Sequence, residues 1–311
     1  MSKKIVFLFP GQGAQYVAMG KDFYDQFPSA REVFEEADDL LRFSLSKLIF
    51  EGPADELMLT KNSQVAIFVT SLAILRVFRE QFPEIEPTIC AGLSLGEYTA
   101  LVAAGKISFA DGLSLVRARG QFMHDACLSA PGTMRVVLGL SPEKVQSVLP
   151  EGVWIANLNC PGQVVIAGSQ KKLEAVEPLL KEQGAKRVLP IDVSGAFHTP
   201  HMREAEEKLR PLIERTAIKD SSASVVMNTL GAPANSNTEL KEALIRQVTS
   251  SVLWEKGIRH IDAEGVDLYI EIGCGTTLRG MNKKIDVKAP TLNIEKIQNL
   301  EEFSQHVFAQ R

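Results

Sequence analysis

Gly92-Leu93-Ser94-Leu95-Gly96 constrains this chain more than any other stretch, because it joins a strand signal to a helix signal through a serine. Thr88-Ile89-Cys90 before it is short and apolar, like the end of a buried strand. Tyr98 to Ala104 after it is small and helix-compatible, and stops at Gly105. In that setting Gly-x-Ser-x-Gly is a nucleophile elbow. The glycines let the backbone turn sharply, and the serine is held at the tip against a helix N-terminus. The dipole and free N–H groups there favour developing negative charge. An ordinary strand-to-helix turn could carry the same glycines without the chemistry, so Ser94 needs partners from elsewhere in the chain.

Composition narrows the classes those partners belong to. A chain of 311 residues is long enough for a full core. Its net charge of -4 argues against non-specific nucleic-acid binding. Cys90, Cys127, Cys160 and Cys274 lie far apart with no Cys-x-x-Cys pair, which suggests neither a zinc site nor a disulfide framework. Ile5 to Phe9 is too short for a signal-peptide core, and no stretch is long enough to span a membrane. The expectation is a cytoplasmic protein with neither nucleic-acid nor membrane partners.

In chain order, Ile5 to Phe9 reads as a buried strand ended by Pro10-Gly11-Gln12-Gly13. A dinucleotide fingerprint would need glycine where Tyr16 stands. Ser29 with Glu32 reads as a capping box, and Asn62 to Gln81 as an amphipathic helix. Ser108 with Asp111 opens a helix to about Cys127 that carries Arg117, Arg119 and His124. From Thr133 the order becomes strand–helix–strand twice over, the split ferredoxin-like pattern. We read 133–192 as a small inserted subdomain, with 1–132 and 193–311 forming a large domain. Alternating helices and strands in the latter predict an α/β fold with a largely parallel sheet.

A nucleophilic serine requires a base. His124 and His306 fall on helices and His260 in a helical stretch, where surface or boundary roles are usual. His198 lies in an irregular loop just before a helix, where catalytic side chains collect. His201 is its rival, although in the first turn of that helix the dipole disfavours its charged form. No acid clearly completes a triad. Asp192 is nearby but reads equally as a strand-end residue, and a backbone carbonyl could orient the imidazole instead. Arg117 and Arg119, two apart on one helix, point in different directions, so at most one faces the site.

Phe9-Pro10-Gly11-Gln12-Gly13, Gly92 to Tyr98, Arg119-Gly120, Gly162 to Gly168, Gly195-Ala196-Phe197-His198 and Gln247 occur in the order and approximate spacing of the malonyl-CoA:acyl carrier protein transacylases. The chain resembles that family over essentially its whole length. The resemblance implies an α/β-hydrolase-like large domain with a largely parallel sheet and an inserted ferredoxin-like small subdomain. It implies transfer of malonyl from malonyl-CoA to the phosphopantetheine thiol of acyl carrier protein for fatty-acid synthesis, with no metal or nucleotide cofactor. Matched by motif, Ser94 is the nucleophile and His198 the general base. Backbone N–H groups of Gln12 and Leu95 form the oxyanion hole, Arg119 clamps the malonyl carboxylate, and the main-chain carbonyl of Gln247 orients His198. Gly-Ala-Phe-His resembles the malonyl-preferring form of this loop in polyketide acyltransferases. Two departures stand out: Leu93, as in plant plastid members, where the family often has histidine, and Gly273-Cys274-Gly275 where a turn usually contains proline. A serine hydrolase would use the same Ser94 and His198 with water as acceptor, whereas a non-catalytic carrier-binding subunit would need neither.

Overall fold

The uninterrupted apolar run Ile5–Phe9 has no polar side to turn toward water, and it is buried along its whole length. The computed structural model describes residues 3–308. Its strands run in chain order as β1 (Ile5–Phe9), β2 (Ile89–Gly92), β3 (Thr133–Leu138), β4 (Val153–Cys160), β5 (Gln163–Gly168), β6 (Arg187–Ile191), β7 (Ser224–Met227), β8 (Ala232–Pro233), β9 (Leu268–Ile272) and β10 (Thr291–Ile294). Six of them form one sheet in the order β10-β9-β1-β2-β7-β8. All its pairings are parallel except the antiparallel β7–β8 edge.

β1 divides its side chains between two cores. Phe7 and Phe9 pack into the cluster built on the helices Thr60–Gln81 and Phe109–Ser129. Val6 and Leu8 face the cluster that holds Trp254, Ile258, Leu278 and Met281, from helices Trp254–Ala263 and Thr277–Ile285. Helices on both faces thus cover the sheet, and its strand ends are left free to carry loops.

The other four strands form an antiparallel sheet in the order β4-β5-β3-β6. With helices Pro142–Gln146 and Gln170–Glu182 between them, this is the ferredoxin-like arrangement. One face packs on those helices through Val137, Ile166, Leu173 and Val176. The sheet is joined to the rest of the molecule at β4. Leu158 N–H donates to the Val252 carbonyl at 2.9 Å, and Val252 N–H donates to the Ala156 carbonyl at 2.9 Å. A register shift between Ile155 and Asn157 bends β4 at that point.

Local signals held unevenly. Ser108 and Ser141 cap their helices by accepting from Asp111 N–H at 3.1 Å and Lys144 N–H at 3.4 Å. The Ser29–Glu32 capping box does not form. Pro28 opens that helix two residues earlier than a Ser29 cap would, which leaves Phe27 at the cap, and the Ser29 hydroxyl donates to Glu80 at 2.5 Å. β4 runs on to Cys160, so its link to β5 is only the Pro161-Gly162 turn, with Gly162 at φ 69°.

Candidate active site

Ser94 sits at φ 52°, a left-handed conformation that a side chain tolerates only when its surroundings enforce it. The flanking glycines make the turn possible. A Cβ on Gly92 would lie 1.9 Å from the Gly96 backbone, and one on Gly96 would lie 2.2 Å from the Phe9 carbonyl. The helix Gly96–Ala103 begins immediately behind the serine. Among the described residues, neither the Gln12 nor the Leu95 backbone N–H has a protein acceptor, so both remain available to an incoming oxygen.

His198, also left-handed at φ 59° and 5% exposed, brings Nε2 to 2.8 Å from Ser94 Oγ. Its Nδ1 lies 2.8 Å from the main-chain carbonyl of Gln247. A carbonyl only accepts, so Nδ1 carries the proton and Nε2 is free to take one from the serine hydroxyl. Burial, then the charge of Arg119, push the imidazole down to about 4, against the opposing pull of the Gln247 carbonyl. His198 is therefore neutral, in its basic form, at physiological pH. His201 is elsewhere, with Nδ1 3.4 Å from the Ala130 carbonyl and its ring edge-on to Trp154. Asp192 is exposed, and the Gln247 carbonyl takes the place at His198 Nδ1 that a triad acid would occupy.

The two arginines diverge as their spacing requires. Arg117 donates to the Leu41 carbonyl at 2.7 Å, away from the serine. Arg119 is 1% exposed and turned inward. Its Nη1 donates to Gln64 Oε1 at 2.6 Å, and its Nη2 donates to Ser94 Oγ at 3.0 Å and Gln247 Oε1 at 2.9 Å. The Tyr98 ring lies 5.6 Å from the guanidinium. Burial lowers the arginine from its usual range, while the nearby Glu97 charge opposes that shift. Arg119 Nε is buried without a partner, and an unmade donor of this kind costs about 1–3 kcal/mol.

Ser94, His198 and Gln12 open onto a cavity of about 200 Å³, whose far wall is Met134, Asn157, Val165 and Ile191 of the four-stranded sheet. Thr277 and Met281 close one end. Their helix is anchored by Glu271, whose carboxylate accepts from Leu278 N–H at 3.0 Å and Arg279 N–H at 2.8 Å. Leu95, Arg119 and Gln247 lie beneath the cavity surface rather than on it. Among the described residues no group of His, Cys, Asp or Glu could hold a metal ion. Nor is any helix among the described residues long and apolar enough to cross a membrane.

Three side chains that sequence reasoning passed over complete the arrangement. Asn228 accepts the Ser94 N–H at 2.7 Å and donates to the Gly92 carbonyl at 2.7 Å. Gln64 holds Arg119, and Glu97 lies fully buried behind the serine. Only Glu97 left a signal, since it is the acidic residue in an otherwise apolar, small-residue helix that had to be buried all round.

The sequence model of the acyl transferase domain matches residues 6–290. The malonyl CoA-acyl carrier protein transacylase of Bacillus subtilis (strain 168) is 45% identical over 304 residues, covering 96% of this chain and 95% of its own. This chain belongs to the malonyl CoA-acyl carrier protein transacylase family. The transacylase of Haemophilus influenzae is 39% identical, covering 97% of this chain and 99% of its own. The crystal structure of the Clostridium perfringens transacylase superposes with a TM-score of 0.92 at 37% identity, over 99% of this chain and 100% of that one. The mostly parallel six-stranded sheet with a small antiparallel partner is thus the fold of the transacylases. A further structure, at TM-score 0.91 and 35% identity over 96% of this chain and 98% of that one, holds a type II PKS acyl-carrier protein in complex with its malonyl-transacylase.

Proposed function

We propose that this chain transfers malonyl from malonyl-CoA to the phosphopantetheine thiol of acyl carrier protein, through a malonyl ester on Ser94, to supply fatty-acid synthesis. The observation that carries the reading is the hydrogen-bonded series Ser94 Oγ, His198 and the Gln247 carbonyl, set beside a buried arginine with an open donor. Ser94 Oγ attacks the thioester carbonyl as its proton passes to His198 Nε2. The imidazolium is held through Nδ1 by the Gln247 carbonyl. The oxyanion is received by the N–H groups of Gln12 and Leu95, and losing one such donor costs about 2.7–4 kcal/mol. His198 returns the proton to the departing coenzyme A thiolate. The carrier thiol then gives its proton to His198 and attacks the ester, and His198 passes that proton to Ser94 Oγ as the ester bond breaks. Two half-reactions on one serine make the kinetics ping-pong.

Arg119 supports malonyl as the acyl group. Acylation removes the Ser94 hydroxyl as an acceptor for Nη2, and a carboxylate two carbons along the chain offers Nη2 and Nε a matched pair of oxygens. In the same reading 133–192 is a subdomain inserted between 1–132 and 193–311, and it supplies the cavity's far wall. Four free, buried cysteines fit a reducing, cytoplasmic setting. Intact mass after mixing with malonyl-CoA tests the proposal. One malonyl adduct is expected, mapped to Ser94, absent from Ser94→Ala and discharged by phosphopantetheinylated acyl carrier protein. An undiminished adduct on Ser94→Ala, or discharge to water at the same rate without carrier, overturns it.

A further inference from the structure

Glu97 is fully buried, lies outside the cavity lining, and has no part in the route above. Burial pushes the Glu97 carboxyl up to about 8, against the pull of the Asn228 N–H, the Arg119 charge and the Gln247 amide, yet each of its oxygens faces an N–H donor, an arrangement that only the carboxylate form satisfies. One accepts the Asn228 N–H at 2.5 Å, the other the Gln247 Nε2 at 2.5 Å. Both partners grip the nucleophile. Asn228 Oδ1 accepts the Ser94 N–H at 2.7 Å, and Gln247 Nε2 donates to the Ser94 carbonyl at 2.8 Å. The far end of the same Gln247 amide accepts from Arg119 at 2.9 Å.

We propose that Glu97 is a positioning residue that fixes the direction of the Gln247 amide, and through it the place of Arg119 against Ser94. The inference rests on the roles given above to Ser94 and Arg119. Arginine has only donors, so the Gln247 group facing it must be the oxygen. The amide nitrogen then points the other way and needs acceptors, which Glu97 and the Ser94 carbonyl provide. A glutamine at position 97 cannot do this. Its single oxygen can serve Asn228 or Gln247, and its NH₂ then meets a donor at whichever is left. Turning the Gln247 amide over relieves one clash by creating another, with its NH₂ facing the guanidinium.

The test is kcat/KM for malonyl-CoA and acetyl-CoA, with active serines counted by burst amplitude, in the wild type, Glu97→Gln and the double variant Glu97→Gln/Gln247→Glu. Glu97→Gln is expected to lose about ten- to a hundredfold with malonyl-CoA per active serine, the scale of one charge-assisted hydrogen bond, and to lose malonyl preference over acetyl with it. The double variant restores an order without clashing donors: amide oxygen to Asn228, amide NH₂ to the new carboxylate, carboxylate to Arg119. It should regain preference, though not full rate, because the donor to the Ser94 carbonyl is gone. Unchanged kinetics in Glu97→Gln, or an equal loss with both thioesters, overturns the inference. If Glu97→Gln does not fold, the double variant decides alone: folded with malonyl preference supports the proposal, folded without it refutes it. Failure of the wild type to form a malonyl-serine would instead refute the reading of Ser94, which the burst amplitude reports separately.

Discussion

The two walls of the cavity are built by different rules. On the elbow side, Ser94 and His198 both hold left-handed backbone, and Glu97, Arg119 and His198 are ionisable groups buried almost completely. Each is held by directional hydrogen bonds from a different segment of the chain. On the side of the four-stranded sheet, β3 and β5 pack like any half-buried antiparallel strands. Val165 and Met134 face the cavity, and Val137 and Ile166 face the subdomain's own helices. No positive φ is found at a non-glycine residue in β3–β6. Reactivity requires strain and buried charge, whereas shape requires only side chains of the right volume. The walls should therefore fail differently when altered.

His198→Ala should break the elbow side most severely, slowing acylation by about 10²–10⁴-fold. A single-turnover measurement with malonyl-CoA reads this, and a rate within tenfold of wild type would remove His198 as the base. Arg119→Ala comes next, with a loss of about ten- to a hundredfold for malonyl-CoA and an unchanged or raised rate with acetyl-CoA. Arg117→Ala is the control, since its guanidinium is committed to the Leu41 carbonyl. Loss of malonyl preference in Arg117→Ala but not in Arg119→Ala would assign the clamp to the wrong residue.

Acidity provides a gentler probe. The imidazole of His198 is lowered to about 4, so its ring resonances should stay those of the neutral form as pH falls from 7 and change only with a midpoint near 4. Between the ordinary histidine value of about 6.5 and that midpoint, the unfolded chain binds a proton that the folded one refuses. The His198 contribution to stability is accordingly full above that window and is lost as pH falls through it. A midpoint near 6.5 would mean that the site is wetter than its burial implies. The smallest effect on chemistry should come from the other wall. Ile166→Ala, fully buried among the subdomain's own helices, should destabilise by about 2–5 kcal/mol. Malonylation of Ser94 per folded molecule should stay near wild type, and a large fall there would erase the distinction between the walls.

How far the sequence reached follows the same division. Strand–turn–helix context around Ser94, the loop position of His198 and the opposed faces of Arg117 and Arg119 are local properties, and local pattern read them correctly. The orienting carbonyl of Gln247 is a main-chain atom with no residue signature, so only resemblance pointed to it. Asn228 follows a strand and reads as any turn asparagine, and Gln64 is hidden within a helix whose pattern says only that it is buried. The capping box at Ser29 failed because Pro28 competes for the same helix start. In 133–192 the alternation gave strands and helices, but which residues face the serine depends on how the two sheets are docked. Leu93 packs against the cluster containing Val6 and Leu8 and also lines the cavity beside Ser94.

That docking bears on when the enzyme can be reactive. The seam that ties Ala156 and Leu158 to Val252 is reinforced by Ser251, whose hydroxyl donates to the Ile155 carbonyl at 2.6 Å. Five residues before Val252 is Gln247, whose carbonyl sets the angle of the imidazole. The seam and the carbonyl that orients the imidazole thus share one short stretch of chain, Gln247 to Val252. A shift of the small sheet at the seam would reach the His198 ring through those few residues, so the width of the entrance and the aim of the imidazole toward Ser94 are mechanically linked.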